Sequence, residues 1–376
     1  MSLYIHERED WPRFKRNQAS LAGRISAVRH RQGRLIGRME TLGFPLRAEA
    51  VLRTLTLDVL KSSEIEGEML NMAQVRSSIA RRLGMDIGVA VAVSRNVEGV
   101  VEMMLDATQN YDKPLTEERL FGWHASLFPT GYSGMRKIKV GTWRDDAKGP
   151  MQLVSGPIGH EHVHFEAPAA IRLAREMAAF LDWFNGDDGT DLVLRAGIGH
   201  LWFVTIHPFE DGNGRIARAI ADMTLARSEQ SAQRFYSMSA QILQERNLYY
   251  KALEDVQQGT LDITAGLEWF LDCLSHAFDD VEETLATLFR KSRFWQSWST
   301  LSFNDRQRLI LNKLLDGFEG KLTSSRWAKL AKCSQDTALR DIQYLLERSI
   351  LRKDPSGGRS TNYHLIEKGW QRGQIY

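Results

Sequence analysis

The stretch LVLRAGIGHLWFVTIHPFEDGNGRIARAIADMTLAR, residues 192–227, joins an almost wholly apolar run to an amphipathic one through HPFEDGNGR at 207–215. The apolar run is too short to cross a bilayer and contains Arg195 and His200, so it predicts a buried core helix. Pro208 disfavours helical continuation of the residue before it, and a second helix starts after Gly214. The nine residues therefore read as a helix–loop–helix connection. Gly212, Asn213 and Gly214 admit positive φ and let a ligand approach bare backbone, while successive N–H groups at a helix N-terminus form a concave anion site. Arg215 opens the second helix and Arg218 follows three residues on; two guanidinium groups above such a nest suit a polyphosphate. Asp211, directly before the nest, is placed to ligate the Mg²⁺ that a polyphosphate brings. His207 can take a proton near neutral pH, so the combination implies attack by a hydroxyl on a phosphate with His207 as base.

The 376 residues are 43% apolar and 26% charged, which fits a soluble globular chain of two or three domains. With 49 basic and 47 acidic residues the chain is not a polyelectrolyte binder throughout. Cys273 and Cys333 offer neither a disulfide framework nor zinc spacing and fit a reducing cytoplasm. The start, MSLYIHEREDWPRFKRN, has no apolar core of signal-peptide length, so a cytoplasmic location away from membranes is expected.

Residues up to about 110 read as successive helices, with Val51, Leu52, Leu55, Val59 and Leu60 recurring at helical spacing. Thr116 is the expected N-cap of the next helix. Residues 129–168, rich in Gly and Pro, read as a long loop holding a short hairpin, after which helices resume to about position 285. The tail from Asp305 has 14 Lys/Arg against 8 Asp/Glu. Three short helices followed by strand, Gly-Gly turn and strand is the order of a winged helix-turn-helix.

HPFEDGNGRIAR resembles the signature of the Fic family, His-x-Phe-x-Asp/Glu-Gly-Asn-Gly-Arg-x-x-Arg, at every fixed position. The resemblance implies a mainly α fold: a Fic-type helical core with a short β-hairpin flap, N-terminal helices, and a C-terminal winged helix-turn-helix. Boundaries at 1–110, 111–290 and 291–376 are expected. It implies a protein adenylyltransferase that moves AMP from ATP, with Mg²⁺, to a Ser, Thr or Tyr hydroxyl of a target protein. His207 then matches the base, Phe209 the loop's core anchor and Asp211 the metal ligand. Gly212, Asn213, Gly214 and Arg215 match the phosphate cradle, and Arg218 the γ-phosphate contact. Tyr249 and Gln257, in ERNLYYKALEDVQQG, fall where the family lines its adenine pocket. Val154, Ser155, Gly156 and Pro157 occupy the place of the flap that pairs with an extended target segment.

SSEIEG at 62–67 matches the family's inhibitory pattern through Ser62, Glu66 and Gly67. Ser62 and Glu66, four apart, share a helix face, and Gly67 is a good terminator, so Glu66 is expected to pair with Arg218 in the place of the γ-phosphate. Two alternatives stay open: removal of AMP from modified proteins by the same site, and a nucleotide-sensing transcription regulator. The tail's partner is DNA, through residues 305–376, or protein, and a homodimer is a further candidate assembly. On the third tail helix Thr337, Arg340, Tyr344 and Arg348 are expected outside together with Asp336 and Asp341, whose charge opposes phosphate contact; Lys353 and Arg359 in the wing favour it. His160, His162 and His164 alternate as strand residues would and weakly suggest a metal site. Glu210 is expected to face solvent, and His200, Trp269 and Phe270 to pack in the core.

Overall fold

The computed structural model describes residues 4–87, 91–156, 160, 162–318, 320–354 and 361–366. Pro157 of the expected flap and Arg359 of the expected wing lie outside the described residues. The chain divides into two compact units, Met1–Glu282 and Glu283–Tyr376, described separately below.

The first unit opens with α1 (Gln18–Glu40), α2 (Phe44–Ile65), α3 (Met72–Arg82), α4 (Arg95–Gln109) and α5 (Glu117–Leu127). Two hairpins follow, β1 (Tyr132–Ser133) with β2 (Arg136–Lys137) and β3 (Gln152–Ser155) with β4 (His162–Glu166). Where one hairpin was expected, the Gly-rich segment makes two, because Gly134 at φ 54° closes a two-residue turn between Ser133 and Arg136. Then come α6 (Leu173–Asn185), α7 (Leu192–Ile206), α8 (Asn213–Glu229), α9 (Met238–Gln244), α10 (Arg246–Gln257) and α11 (Thr264–Ser297). Helix α11 runs past the expected end near 285, since neither Gly nor Pro interrupts residues 267–316.

Polar side chains start these helices. Asn17, Asn71, Thr116, Asp191 and Ser237 each accept a hydrogen bond from a backbone N–H two or three residues on, which satisfies an otherwise unpaired donor. Thr116 does so as expected. Helix α7 is buried from Val193 to Ile206 and packs along α8, whose Ile216, Ala217, Ala219 and Ile220 are fully buried. The apolar run is thus a core helix, and among the described residues no helix is long and apolar enough to cross a membrane. Helix α2 is tied to the same core, because Asp58 accepts from the Ser237 hydroxyl and the Ser239 N–H at the start of α9.

The second unit holds α12 (Asp305–Leu315), α13 (Ser324–Leu330) and α14 (Gln335–Glu347), then β5 (Leu351–Lys353) paired antiparallel with β6 (Tyr363–Leu365). Its own core gathers Ile310, Leu311, Trp327, Ile342, Leu345 and Leu351.

Helices α4 and α5 meet so closely at Gly99 that a Cβ there would lie 1.7 Å from the Ser126 carbonyl oxygen. Gly99→Ala must push a helix apart against backbone, not against a pliable side chain. It should lower the unfolding free energy by about 1–3 kcal/mol, read from denaturant titration of the purified variant.

Candidate active site

The six residues between α7 and α8, 207–212, form a closed loop held by one side chain at the start of α8. The Asn213 amide accepts from the Phe209 N–H at 3.0 Å and donates to the Phe209 carbonyl at 2.8 Å. Asn213 is 2% exposed, so this pair of bonds is shielded from water and the side chain is committed to loop closure. Only its backbone N–H, at the start of α8, remains for the cradle. Phe209 is fully buried and stacks on the ring of His124 at 4.1 Å. Gly212 sits at φ 79°, a left-handed turn, with Phe128 2.9 Å from where a Cβ would be.

His207 caps α7 in the left-handed region at φ 51°, an uncommon conformation for a residue with a side chain. Its Nδ1 lies 3.2 Å from the Val204 carbonyl, which can only accept, so Nδ1 carries the hydrogen and Nε2 keeps its lone pair. Burial lowers its pKa to about 4, with the neighbouring Arg144 charge acting the same way. The imidazole is therefore a neutral base at pH 7.

Arg144, which the sequence reading did not single out, fixes this end of the loop. Its Nε donates to the His207 carbonyl at 2.8 Å and a terminal nitrogen donates to Pro168 at 2.6 Å, just beyond β4. Its backbone N–H donates to the Pro208 carbonyl at 2.9 Å. One buried guanidinium thus ties the base's backbone to the foot of the second hairpin.

Asp211 accepts from the Gly212 N–H at 2.5 Å and from the hydroxyl of Ser133 on β1. Among the described residues no group of three or more His, Cys, Asp or Glu could hold a metal, so Asp211 belongs to no such cluster. A lone carboxylate suits Mg²⁺, whose remaining positions go to water and phosphate oxygens, and does not suit zinc. Of the two histidines on β4, His164 is engaged elsewhere, bonding Ser155 Oγ at 2.6 Å and Glu254 at 3.0 Å. Glu210 corrects its expectation, since its side chain is only 10% exposed and faces Arg136 and Lys148.

The mouth of α8 is occupied by two carboxylates from the end of α2. Gly67 at φ 83° closes that helix; its N–H donates to Glu64 and the Glu68 N–H donates back to Ser63. This left-handed cap turns the chain so that Glu66 and Glu68 both reach the α8 arginines. Glu66 Oε1 accepts from Arg218 at 2.8 Å, and Glu68 Oε2 accepts from Arg215 at 2.6 Å. Arg218 is also held by Ser62, through its hydroxyl at 3.0 Å and its carbonyl at 2.8 Å. Burial opposes the Arg218 charge, yet the Glu66 carboxylate keeps its pKa above the usual value. A Cβ on Gly214 would lie 2.2 Å from Glu66 Oε1, so the anion rests directly on the helix N-terminus that glycine leaves open. Both arginines retain unused donors: one terminal nitrogen of Arg218 and Nε of Arg215 have no partner.

Tyr249, matched above to the adenine-pocket segment, is buried. It is 1% exposed, its hydroxyl lies 3.1 Å from His200 Nε2, and its ring packs on Trp269. The neighbouring Tyr250, 42% exposed, carries the open aromatic face and reaches the Ile65 carbonyl at 3.4 Å. Gln257 is buried with its amide nitrogen unpartnered. On β3, Val154 is 51% exposed and pairs in register with Val163.

Residues 114–225 match the model of the Fic/DOC family, and residues 4–85 match a domain of unknown function (DUF4172). The protein adenylyltransferase Fic of Drosophila willistoni is 27% identical over 225 residues, 59% of this chain and 40% of that protein. Its Drosophila melanogaster counterpart is 26% identical over the same length. The match thus spans about 40% of the length of the curated relatives. A solved structure of a Fic family protein from Desulfovibrio desulfuricans shares the fold, with a TM-score of 0.53 at 21% identity over 92% of this chain and 97% of that one.

Burial also holds His124 at a pKa of about 4 and His200 at about 3. Both stay neutral in the folded chain and protonate near 6.5 when it unfolds. The unfolded state then binds more protons between those values, so stability falls as pH drops from about 6.5 to 4. Calorimetric melting across that range should show this fall, and His200→Gln should make it shallower.

Proposed function

We propose, from the premise that this chain carries a Fic/DOC family domain over residues 114–225, that it is an ATP-dependent protein adenylyltransferase held inactive by its own N-terminal helices. The observation that carries the reading is the Glu66 carboxylate on the open N-terminus of α8, bonded to Arg218. It stands in for a terminal phosphate in a site that offers backbone N–H groups, two buried guanidiniums and spare donors to an anion.

In the active form the triphosphate would lie along Gly212, Gly214, Arg215 and Arg218, and Asp211 would hold a magnesium ion, which would supply charge neutralisation to the phosphates. A target hydroxyl reaches Nε2 of His207, which the Val204 carbonyl leaves free to take a proton. The hydroxyl oxygen bonds to the α-phosphorus, its proton passes to Nε2, and the bond from that phosphorus to the β-phosphate oxygen breaks, releasing pyrophosphate. The positive end of α8 and the arginines stabilise the charge that develops. Tyr250 and the unpartnered Gln257 amide support an adenine site beside α10. The exposed face of β3 around Val154, Ser155 and Gly156 is where an extended target segment would pair.

Two ion pairs must part before the cradle can close on phosphates, Glu66 with Arg218 and Glu68 with Arg215. With α-labelled ATP and Mg²⁺, wild type should label itself little and Glu66→Gly clearly more. Adding Glu68→Gln to Glu66→Gly should tighten ATP binding further by calorimetry. His207→Ala should cut labelling by about 10²–10⁴ while ATP still binds. A Glu66→Gly protein that binds Mg-ATP yet never transfers α-label, to itself or to any protein offered, would overturn the assignment.

A further inference from the structure

We propose that the second unit is a double-stranded DNA-binding module whose helix α14 enters the major groove. This goes beyond the reading of the catalytic loop and rests on different residues. Helices α13 and α14 with the β5–β6 hairpin have the order of a helix-turn-helix followed by a wing. One face of α14 is spent on the core through Ala338, Ile342 and Leu345. The opposite face presents Leu339, Arg340 and Gln343 to solvent. Arginine and glutamine are side chains that read guanine and adenine edges, and an exposed leucine, 44% accessible here, suits a thymine methyl.

The charge pattern supports the same partner. The sequence reading put Asp341 on the outer face, where it would repel phosphate. It is instead 5% exposed and bound inward by Arg306 at 2.8 Å and Asn304 at 2.8 Å. Asp316 pairs with Lys291 and Asp354 with His364, while Glu347 accepts from Gln343. Asp305 and Asp336 sit in the first turns of α12 and α14, where the helix dipole favours a negative charge. The basic side chains show the reverse. Arg326, Lys329, Lys332, Arg340, Arg352 and Lys353 are exposed, and none lies within ion-pair distance of a described carboxylate. Among the described residues from 305 on, the acidic groups are bonded within the unit or sit at helix starts, and these six basic ones are left exposed on the helix pair and the hairpin. That is the pattern of a phosphate-contacting surface.

The test is fluorescence anisotropy of the full chain with a short random-sequence DNA duplex, without nucleotide, between about 50 and 200 mM KCl. The five basic side chains left for phosphate, Arg326, Lys329, Lys332, Arg352 and Lys353, predict an affinity that drops on the order of 10²–10³-fold across that range. Lys329→Ala with Lys332→Ala should make the log–log salt slope shallower by about two, and Lys329→Arg with Lys332→Arg should restore it. His207→Ala should bind DNA as wild type does. The proposal is overturned by absence of binding at the lowest salt, which is the outcome if the unit docks on protein. It is overturned equally by a slope unmoved in a double alanine variant that melts like wild type, or by duplex RNA competing as well as DNA.

Discussion

Everything at the catalytic loop depends on the two hydrogen bonds between the Asn213 side chain and the Phe209 backbone. A six-residue loop ending in glycine has many conformations, and an amide that pairs with both the N–H and the carbonyl of one residue removes most of them. With that bridge closed, Phe209 is driven into the core against His124 and His207 is forced into its left-handed cap. The N–H groups of α8 then open outward. The placements of the His207 imidazole, the Asp211 carboxylate and the open N–H groups of α8 are three consequences of one closure, which is why they lie within so few residues.

The second level of organisation is the end of α2. Stopping a helix with a left-handed glycine aims the side chains on either side of it in fixed directions, and here both are carboxylates that land on arginines. Neither arginine could be buried as it is without a counter-charge, since desolvation of an unpaired guanidinium is costly. The N-terminal helices therefore complete the site electrostatically as well as covering it. The same logic explains why Ser62 is buried: its hydroxyl and carbonyl take two more donors of Arg218.

How much of this could be read in advance follows the range of the interactions. The catalytic loop was legible because its geometry is local, set by Pro208, the glycines and the caps of two adjacent helices. Gly67 was legible as a terminator for the same reason. Glu68, Arg144, His124 and Ser133 were not, because each acts on a residue far away along the chain and nothing near it signals the partner. The family resemblance marked Tyr249 as the matching aromatic but could not say that Tyr250, one residue on, is the more exposed ring. Asp341 shows the converse error, a charge assumed to be solvated that is neutralised internally by Arg306.

The Arg144 guanidinium joins two things that would otherwise move independently, the backbone of His207 and the strand end at Pro168. Under the proposed function, a peptide adding itself to β3 would pull on the same hairpin whose foot holds His207 in place. Recognition of a substrate chain and alignment of the imidazole would then share a mechanical linkage, and a poorly seated peptide would be penalised in turnover as well as in affinity.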